Sequence, residues 1–218
     1  MQKYVAPRPP AARKLPRQLA PTTLDDLDEG KLWSGALVSG AQLARTDQRS
    51  LSFAGSRLAR VNLSGSSLDW LSCADTEFEE CNLANVTTSN GSLARVSFSS
   101  CKMTGLQLTG SSWKDAELRD CQIDFASFRE TKLKQVVFRN CDLRETEFHQ
   151  VPFESVRFLE CNLGRASFVG TRFDRCEFQG CTMVGLRGVL NLAGAAMDRG
   201  DLMELTESWA REAGIHIL

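Results

Sequence analysis

One six-residue phrase returns at a fixed interval of 20 along the middle of the chain. It reads Phe-Glu-Glu-Cys-Asn-Leu, Phe-Ser-Ser-Cys-Lys-Met, Leu-Arg-Asp-Cys-Gln-Ile, Phe-Arg-Asn-Cys-Asp-Leu, Phe-Leu-Glu-Cys-Asn-Leu and Phe-Gln-Gly-Cys-Thr-Met, with Cys81, Cys101, Cys121, Cys141, Cys161 and Cys181 in one series. Inside it runs a beat of five. Large apolar residues fill nearly every position whose number ends in 3 or 8, among them Leu43, Phe53, Leu58, Leu63, Leu68, Phe98, Phe128, Phe138 and Phe178, preceded two places earlier by a small or compact residue, occasionally Leu or Gly. A period of five matches neither the 3.6 of a helix nor the 2 of a strand, so neither element keeps this pattern on one side for long. If each block of five forms one side of a square and then turns, every large residue points at one axis, and four blocks bring the chain back above its start. That geometry is a solenoid, in which no unit buries its face alone. Residues 20 apart then stack at strand spacing, about 4.8 Å, and the six cysteines form one column.

These residues resemble the pentapeptide-repeat family, whose pattern is Ala-(Asp/Asn)-Leu-x-x; close matches are Ala116-Glu117-Leu118, Cys81-Asn82-Leu83, Cys141-Asp142-Leu143, Cys161-Asn162-Leu163 and Ala126-Ser127-Phe128. The resemblance implies an all-β fold, a right-handed quadrilateral parallel β-helix with short capping helices. It covers roughly residues 42–185. A few members of the family bind bacterial DNA gyrase by imitating a duplex in width, shape and negative charge, and so protect it from quinolones or peptide poisons.

The sequence divides into an arm at 1–24, the repeat region with its N-terminal cap at 25–185, and a tail at 186–218. The arm carries Pro7, Pro9, Pro10, Pro16 and Pro21 with Arg8, Arg13, Lys14 and Arg17, a composition that keeps backbone extended and offers little to bury. It reads as an unfolded or surface-draped segment, either a solvated tail or a contact for nucleic acid or an acidic partner. Thr22 to Gly30 can form a helical turn or two with Thr23 as N-cap, a cover for the open first coil. Past Gly185 the beat stops. Asp201-Leu-Met-Glu204 has the form of a capping box, opening a helix with Leu202, Leu205 and Trp209 on one stripe and Gly214 at its end; Ile215 to Leu218 reads as a short strand. This tail resembles the terminal helix and strand through which the gyrase-binding members pair. Either it is a lid, or Leu202, Leu205, Trp209, Ile215, Ile217 and Leu218 join two copies in a C2 dimer.

With 218 residues, 42% of them apolar and 24% charged, the chain is long enough for a continuous core. No window approaches the ~20 apolar residues of a membrane span, and the first residues lack a signal-peptide core, so the expected setting is cytoplasmic, without a membrane partner. Six of the eight cysteines sit in the inward, small-residue slot and Cys73 in a large-residue slot, which predicts buried free thiols rather than a disulfide frame. Only His149 and His216 are available as imidazole ligands, and no metal, cofactor or catalytic motif is expected. A rod filled with Phe and Leu has no natural pocket, so the chain reads as a non-catalytic protein binder rather than an enzyme.

What remains is the outer surface. Residues 31–185 carry 18 basic and 18 acidic side chains, so the rod is neutral, in departure from an acidic duplex mimic. Its acids cluster all the same: Asp75, Glu77, Glu79 and Glu80 form one group, and Asp115, Glu117, Asp120 and Asp124 another two coils on. Trp70, Phe125, Val137, Leu159, Val169 and Val184 fall on outward slots, and Trp70 and Phe125, at corners, are large enough to anchor a partner. These two aromatics and the eight acids are the candidate contact residues. Their expected partner is another protein, DNA gyrase by the resemblance or a different protein served by a scaffold, with no direct nucleic-acid binding.

Overall fold

The structure, a computed structural model, describes residues 5–22, 30 and 32–216. The beat of five becomes a square. Every fifth residue from Gly30 to Gly185 has a positive φ, between 49° and 73°, and each marks a corner. Twenty-two of these corners carry a side chain. A left-handed conformation costs such a residue roughly 1–2 kcal/mol, and the cost is met by the coil-to-coil ladder, because corner N–H groups stay inside it: Trp70 N donates to Ser89 O and Phe125 N to Arg144 O, both at 2.9 Å.

Between corners run four faces. The first takes Leu32–Ser34, Ser52–Ala54, Pro152–Glu154 and Arg172–Asp174; the second takes Ala36–Ser39, Arg57–Ala59, Arg157–Leu159 and Cys176–Gln179. In the middle of the rod Ser72–Glu79, Ser92–Ser99, Ser112–Arg119 and Lys132–Arg139 continue across both faces, giving one 14-stranded parallel sheet. The third face is a series of single bridges from Gln42 through Asn82, Gln122 and Asn162 to Thr182, and the fourth is a 5-stranded sheet from Asp47–Arg49 to Ser127–Arg129. The register is 20 throughout the body, as in Ser92↔Ser112 and Phe138↔Phe158. Only the end strands depart from it: Ala20 pairs with Ala36, and Cys176 with Ala195.

The apolar positions ending in 3 and 8 fill the axis, with Phe128, Phe138, Phe148, Phe158 and Phe168 at 0% exposure. Cys73, Thr88 and Trp113, which break the Leu/Phe pattern, are buried there too. The small slot has its own chemistry. Ser56 Oγ has Ala54 O at 2.9 Å and Trp33 O at 3.1 Å within reach of its one proton, and Cys81 Sγ lies 3.3 Å from Leu58 O and 3.4 Å from Glu79 O. A hydroxyl or thiol here ties its own coil to the one before. All eight cysteines are free and buried, and burial pushes the Cys73 thiol up to about 12 and Cys176 to about 11.

The two ends are finished in different ways. Residues 23–29 of the cap helix expected over Thr22 to Gly30, with Thr23 as N-cap, lie outside those described; the described cover is the two-residue strand Ala20–Pro21 on Ala36–Ser39. At the other end a 3-10 turn, Val189–Leu192, leads through Ala195–Met197 to two helices, α1 (Arg199–Glu204) and α2 (Thr206–Glu212), broken at Leu205. Asp198, not Asp201, is the N-cap, accepting from Asp201 N at 2.8 Å. Asp201 and Glu204 turn back to the rod, where Asp201 Oδ1 accepts from Cys181 N (3.1 Å) and Glu204 Oε2 from Met183 N (2.7 Å), while Glu212 accepts from Gly188 N and Leu190 N. In the body such donors find the next coil, as Leu163 N finds Thr182 O. Here carboxylates replace a coil that does not follow. Ile215 and His216 form no strand, and Ile217 and Leu218 lie outside the described residues.

Candidate interaction surface

The fold separates the candidate contact residues instead of gathering them. Asp75 and Asp115 lie on the corner between the first and second faces, with Glu77, Glu79 and Glu117 on the second face beside it. Glu80 and Asp120 lie on the next corner, Asp124 and Phe125 one side further round, and Trp70 on the corner between the fourth and first faces. The acids that do share a side are interleaved with arginines. Arg95 forks onto both Asp75 oxygens at 2.7 Å, Arg57 holds Glu77 at 2.7 Å, and Arg119 holds Glu117 at 3.0 Å. Asp120 accepts from Asn140 and Asp124 from Thr104, each at 2.6 Å. The Arg95 guanidinium, helped by the Lys14 N–H, holds the Asp75 carboxyl below its ordinary range against the opposing effect of burial.

The N-terminal arm completes this side of the rod. It is not a free tail: residues 9–16 run extended along the corner, with Gln135 Nε2 donating to Pro9 O (3.2 Å), Ala11 N to Asp115 Oδ1 (2.9 Å) and Lys14 N to Asp75 Oδ1 (2.8 Å). Arg13 reaches Glu77 at 3.3 Å and Glu117 at 3.9 Å. Asp115 is thereby only 6% exposed. Val137, whose slot faces outward, is buried because Pro10, Ala11, Ala12 and Leu15 of the arm wall the cleft that it lines; Leu159, one coil on, is buried as well. A hydrogen bond to a charged group contributes about 1.5–3 kcal/mol, an exposed ion pair about 0.2–1, and ordering a residue costs about 1–2. The margin holding the arm is therefore small, and Pro9, Pro10 and Pro16 help by fixing φ in advance. The sequence held both halves of this contact, a basic arm and two acid clusters, but not the pairing of one with the other.

Uncovered apolar side chains lie elsewhere. Trp70 and Phe125 are 57% and 56% exposed on left-handed corners where other residues are polar or Gly. Val169 and Val184 are exposed, as their slots require. At the C-terminal end Leu205 is buried, but Leu202 and Trp209 of the same stripe are exposed, and Leu190, Met203 and Ile215, outside that stripe, join them. With Val189, Leu192 and Met197, the residues Leu202, Met203, Leu205 and Trp209 line an open apolar groove. Among the described residues no group of three or more His, Cys, Asp and Glu could hold a metal ion, and no helix is long and apolar enough to cross a membrane.

Residues 51–128 and 91–168 match the family described as Pentapeptide repeat region, and residues 153–186 match Pentapeptide repeats (8 copies). Among solved structures, the chain is similar to the pentapeptide repeat protein Rfr23 from the cyanobacterium Cyanothece 51142, with 18% identity, 52% of this chain and 91% of that one covered, and a TM-score of 0.49. It is also similar to HetL, a pentapeptide repeat protein involved in heterocyst differentiation regulation from Nostoc sp. strain PCC 7120 (15% identity, 79% and 91% covered, TM-score 0.42). A third is QnrB1, a plasmid-mediated fluoroquinolone resistance protein (17% identity, 92% and 100% covered, TM-score 0.35). No curated protein sequence matches the chain.

Proposed function

The chain belongs to the pentapeptide-repeat family, and we propose that it is a non-catalytic, cytoplasmic protein-binding rod that pairs with a second copy through its C-terminal helices. The observation that carries this reading is where apolar side chains stay uncovered: Leu190, Leu202, Met203, Trp209 and Ile215 gather at one end, on a molecule whose axis is otherwise filled. The carboxylates of Asp201, Glu204 and Glu212 already terminate the ladder, so this apolar surface is not needed as a lid. A two-fold contact uses the same patch twice and buries it on both copies. Sedimentation at micromolar concentration tests the pairing. A dimer is expected for the wild-type chain and a monomer for Trp209→Glu, and a monomeric wild type overturns it.

The partner we propose is DNA gyrase, on the resemblance of the tail to that of the gyrase-binding members. Because Asp75, Glu77 and Glu117 are each paired with arginine, the contact is made by Trp70 and Phe125 more than by a negative surface like that of a duplex. A supercoiling assay with purified gyrase, with and without a quinolone, decides: no inhibition, no protection and no binding removes gyrase. The same charge pairing favours the second reading, a scaffold for another protein, and a pulldown that returns one stable partner other than a topoisomerase would establish it.

A further inference from the structure

The arm and the rod are commensurate. Ala11 and Lys14, three residues apart, donate to Asp115 and Asp75, which stand 40 residues and therefore two coils apart on one corner. Three residues of extended or polyproline-type chain advance about 9–10 Å, and two coils at strand spacing rise about 9.6 Å. The flanking contacts follow in order. Pro9 meets Gln135 one coil beyond Asp115, and Pro16 meets Gly55 one coil before Asp75, so closely that a Cβ on Gly55 would lie 3.1 Å from the proline ring. A polyproline-type helix repeats every three residues, so N–H groups at i and i+3 face the same corner, while the cation at i+2 reaches the carboxylates at 77 and 117 on the adjoining face.

Much of the arm remains in solvent, with Ala11, Ala12, Lys14 and Pro16 exposed and Arg13 and Leu15 half-buried. The features that select it belong to the track: two carboxylates at the spacing of i and i+3 donors, two more for a cation between them, and a glycine corner at 55 that leaves room for a proline ring. Any extended segment with this pattern meets the same groups. We propose that this corner is a docking track for an extended, basic, proline-containing segment of a partner protein, and that residues 9–16 are its resident occupant, which the partner must displace. The track is independent of the pairing at the C-terminal end and of any contact through Trp70 or Phe125.

The test uses the full chain with Ala11→Pro and Lys14→Pro, which preserve an extended arm but remove both donors. The probe is a fluorescent synthetic peptide of residues 7–17. It should bind this variant at least tenfold more tightly than it binds the wild-type chain, whose track is filled, and should lose that affinity when Asp75→Asn and Asp115→Asn are added. Equal affinity for both proteins, no binding to the variant at millimolar peptide, or binding that survives the two Asn substitutions overturns the proposal. So does self-association of the wild type that disappears in the proline variant, since that would put the arm of a second copy on the track. Amide exchange needs no substitution: the Ala11 and Lys14 amides should be protected in the wild type, and exchange of both at free-peptide rates also overturns it.

Discussion

From Phe128 onward three of the four columns that fill the axis carry phenylalanine stacks, with Leu143, Leu163 and Met183 in the other, whereas before Trp113 every column is mixed. In the first region Phe138, Phe158 and Phe178 lie ring on ring at 5.0 and 4.8 Å, Phe148 and Phe168 at 4.9 Å, and Phe153 and Phe173 at 4.8 Å, all within 11° of parallel. Like residues at a 20-residue spacing stack at the distance the ladder dictates, so ring contact and backbone register support each other. In the second region Cys73 follows Phe53 and Thr88 follows Leu68 in the same columns. A cavity of about 30 Å³ remains among Leu51, Leu68, Phe78, Thr88, Leu93 and Trp113, and Thr88 Oγ1 and Trp113 Nε1 have no hydrogen-bond partner. The arm lies over all of this looser region and over the first of the stacked coils, from Gly35 to Gln135 and Val137. The strap spans the imperfectly filled inside and reaches only the start of the stacks.

The largest effect expected from this difference is at Phe148, whose ring has five aromatic neighbours between 4.9 and 6.5 Å. Phe148→Ala should cost about 3–5 kcal/mol, since no neighbouring element can collapse into a one-dimensional stack. Leu93→Ala, beside the existing cavity, should fall at the low end of its class, about 2–3 kcal/mol. Urea unfolding of both variants is the check, and equal losses would mean that the two regions are equally well packed.

A smaller effect of opposite sign is expected at Thr88. Val has nearly the same shape and removes a buried hydroxyl without a partner, a group that costs about 1–3 kcal/mol. Thr88→Val should therefore raise stability by about 1 kcal/mol. A neutral or destabilising result would show the hydroxyl to be satisfied, by a water in the cavity for instance, and the mixed region to be less frustrated than its side chains suggest.

The fold was legible because a single rule, one large residue in five, states both the inward direction and the turn. Trp70 and Phe125, placed at corners by the same rule, share the left-handed conformation of the glycines at 35, 55, 105 and 110. Outward slots were less legible: Val137 obeys the rule for an exposed position and is buried, because its cover comes from more than 120 residues away in the sequence. The partners of the acid clusters were hidden for the same reason. Periodicity places Asp75 and Asp115 on one corner but says nothing of Lys14 and Ala11, which belong to no repeat. At the C-terminal end the capping-box pattern at Asp201 was real in composition but misleading in role, since a carboxylate 20 residues after Cys181 meets a stronger demand from the unpaired ladder.

The smallest expected effect separates the strap from the rod. The Asp75 carboxyl is held low first by Arg95 and then by the Lys14 N–H, with Lys14 and Arg95 the cations facing it. A carboxylate with a depressed folded pKa contributes stability that is fully present above its unfolded value, near 4, and is lost as pH falls through the folded value. The arm should thus be held at pH 5 and above and loosen below about pH 4, by about 1 kcal/mol or less for contacts this close to solvent. Protection of the Lys14 amide, corrected for its intrinsic exchange rate, should fall between pH 5 and pH 3 while amides of the Phe158 coil keep theirs. Asp75→Asn should flatten the dependence, leaving the arm loose at every pH. If Lys14 protection does not change with pH while the Phe158 coil's does, the arm is bound by something other than this corner, and the contrast between a strapped region and a stacked one must be drawn elsewhere.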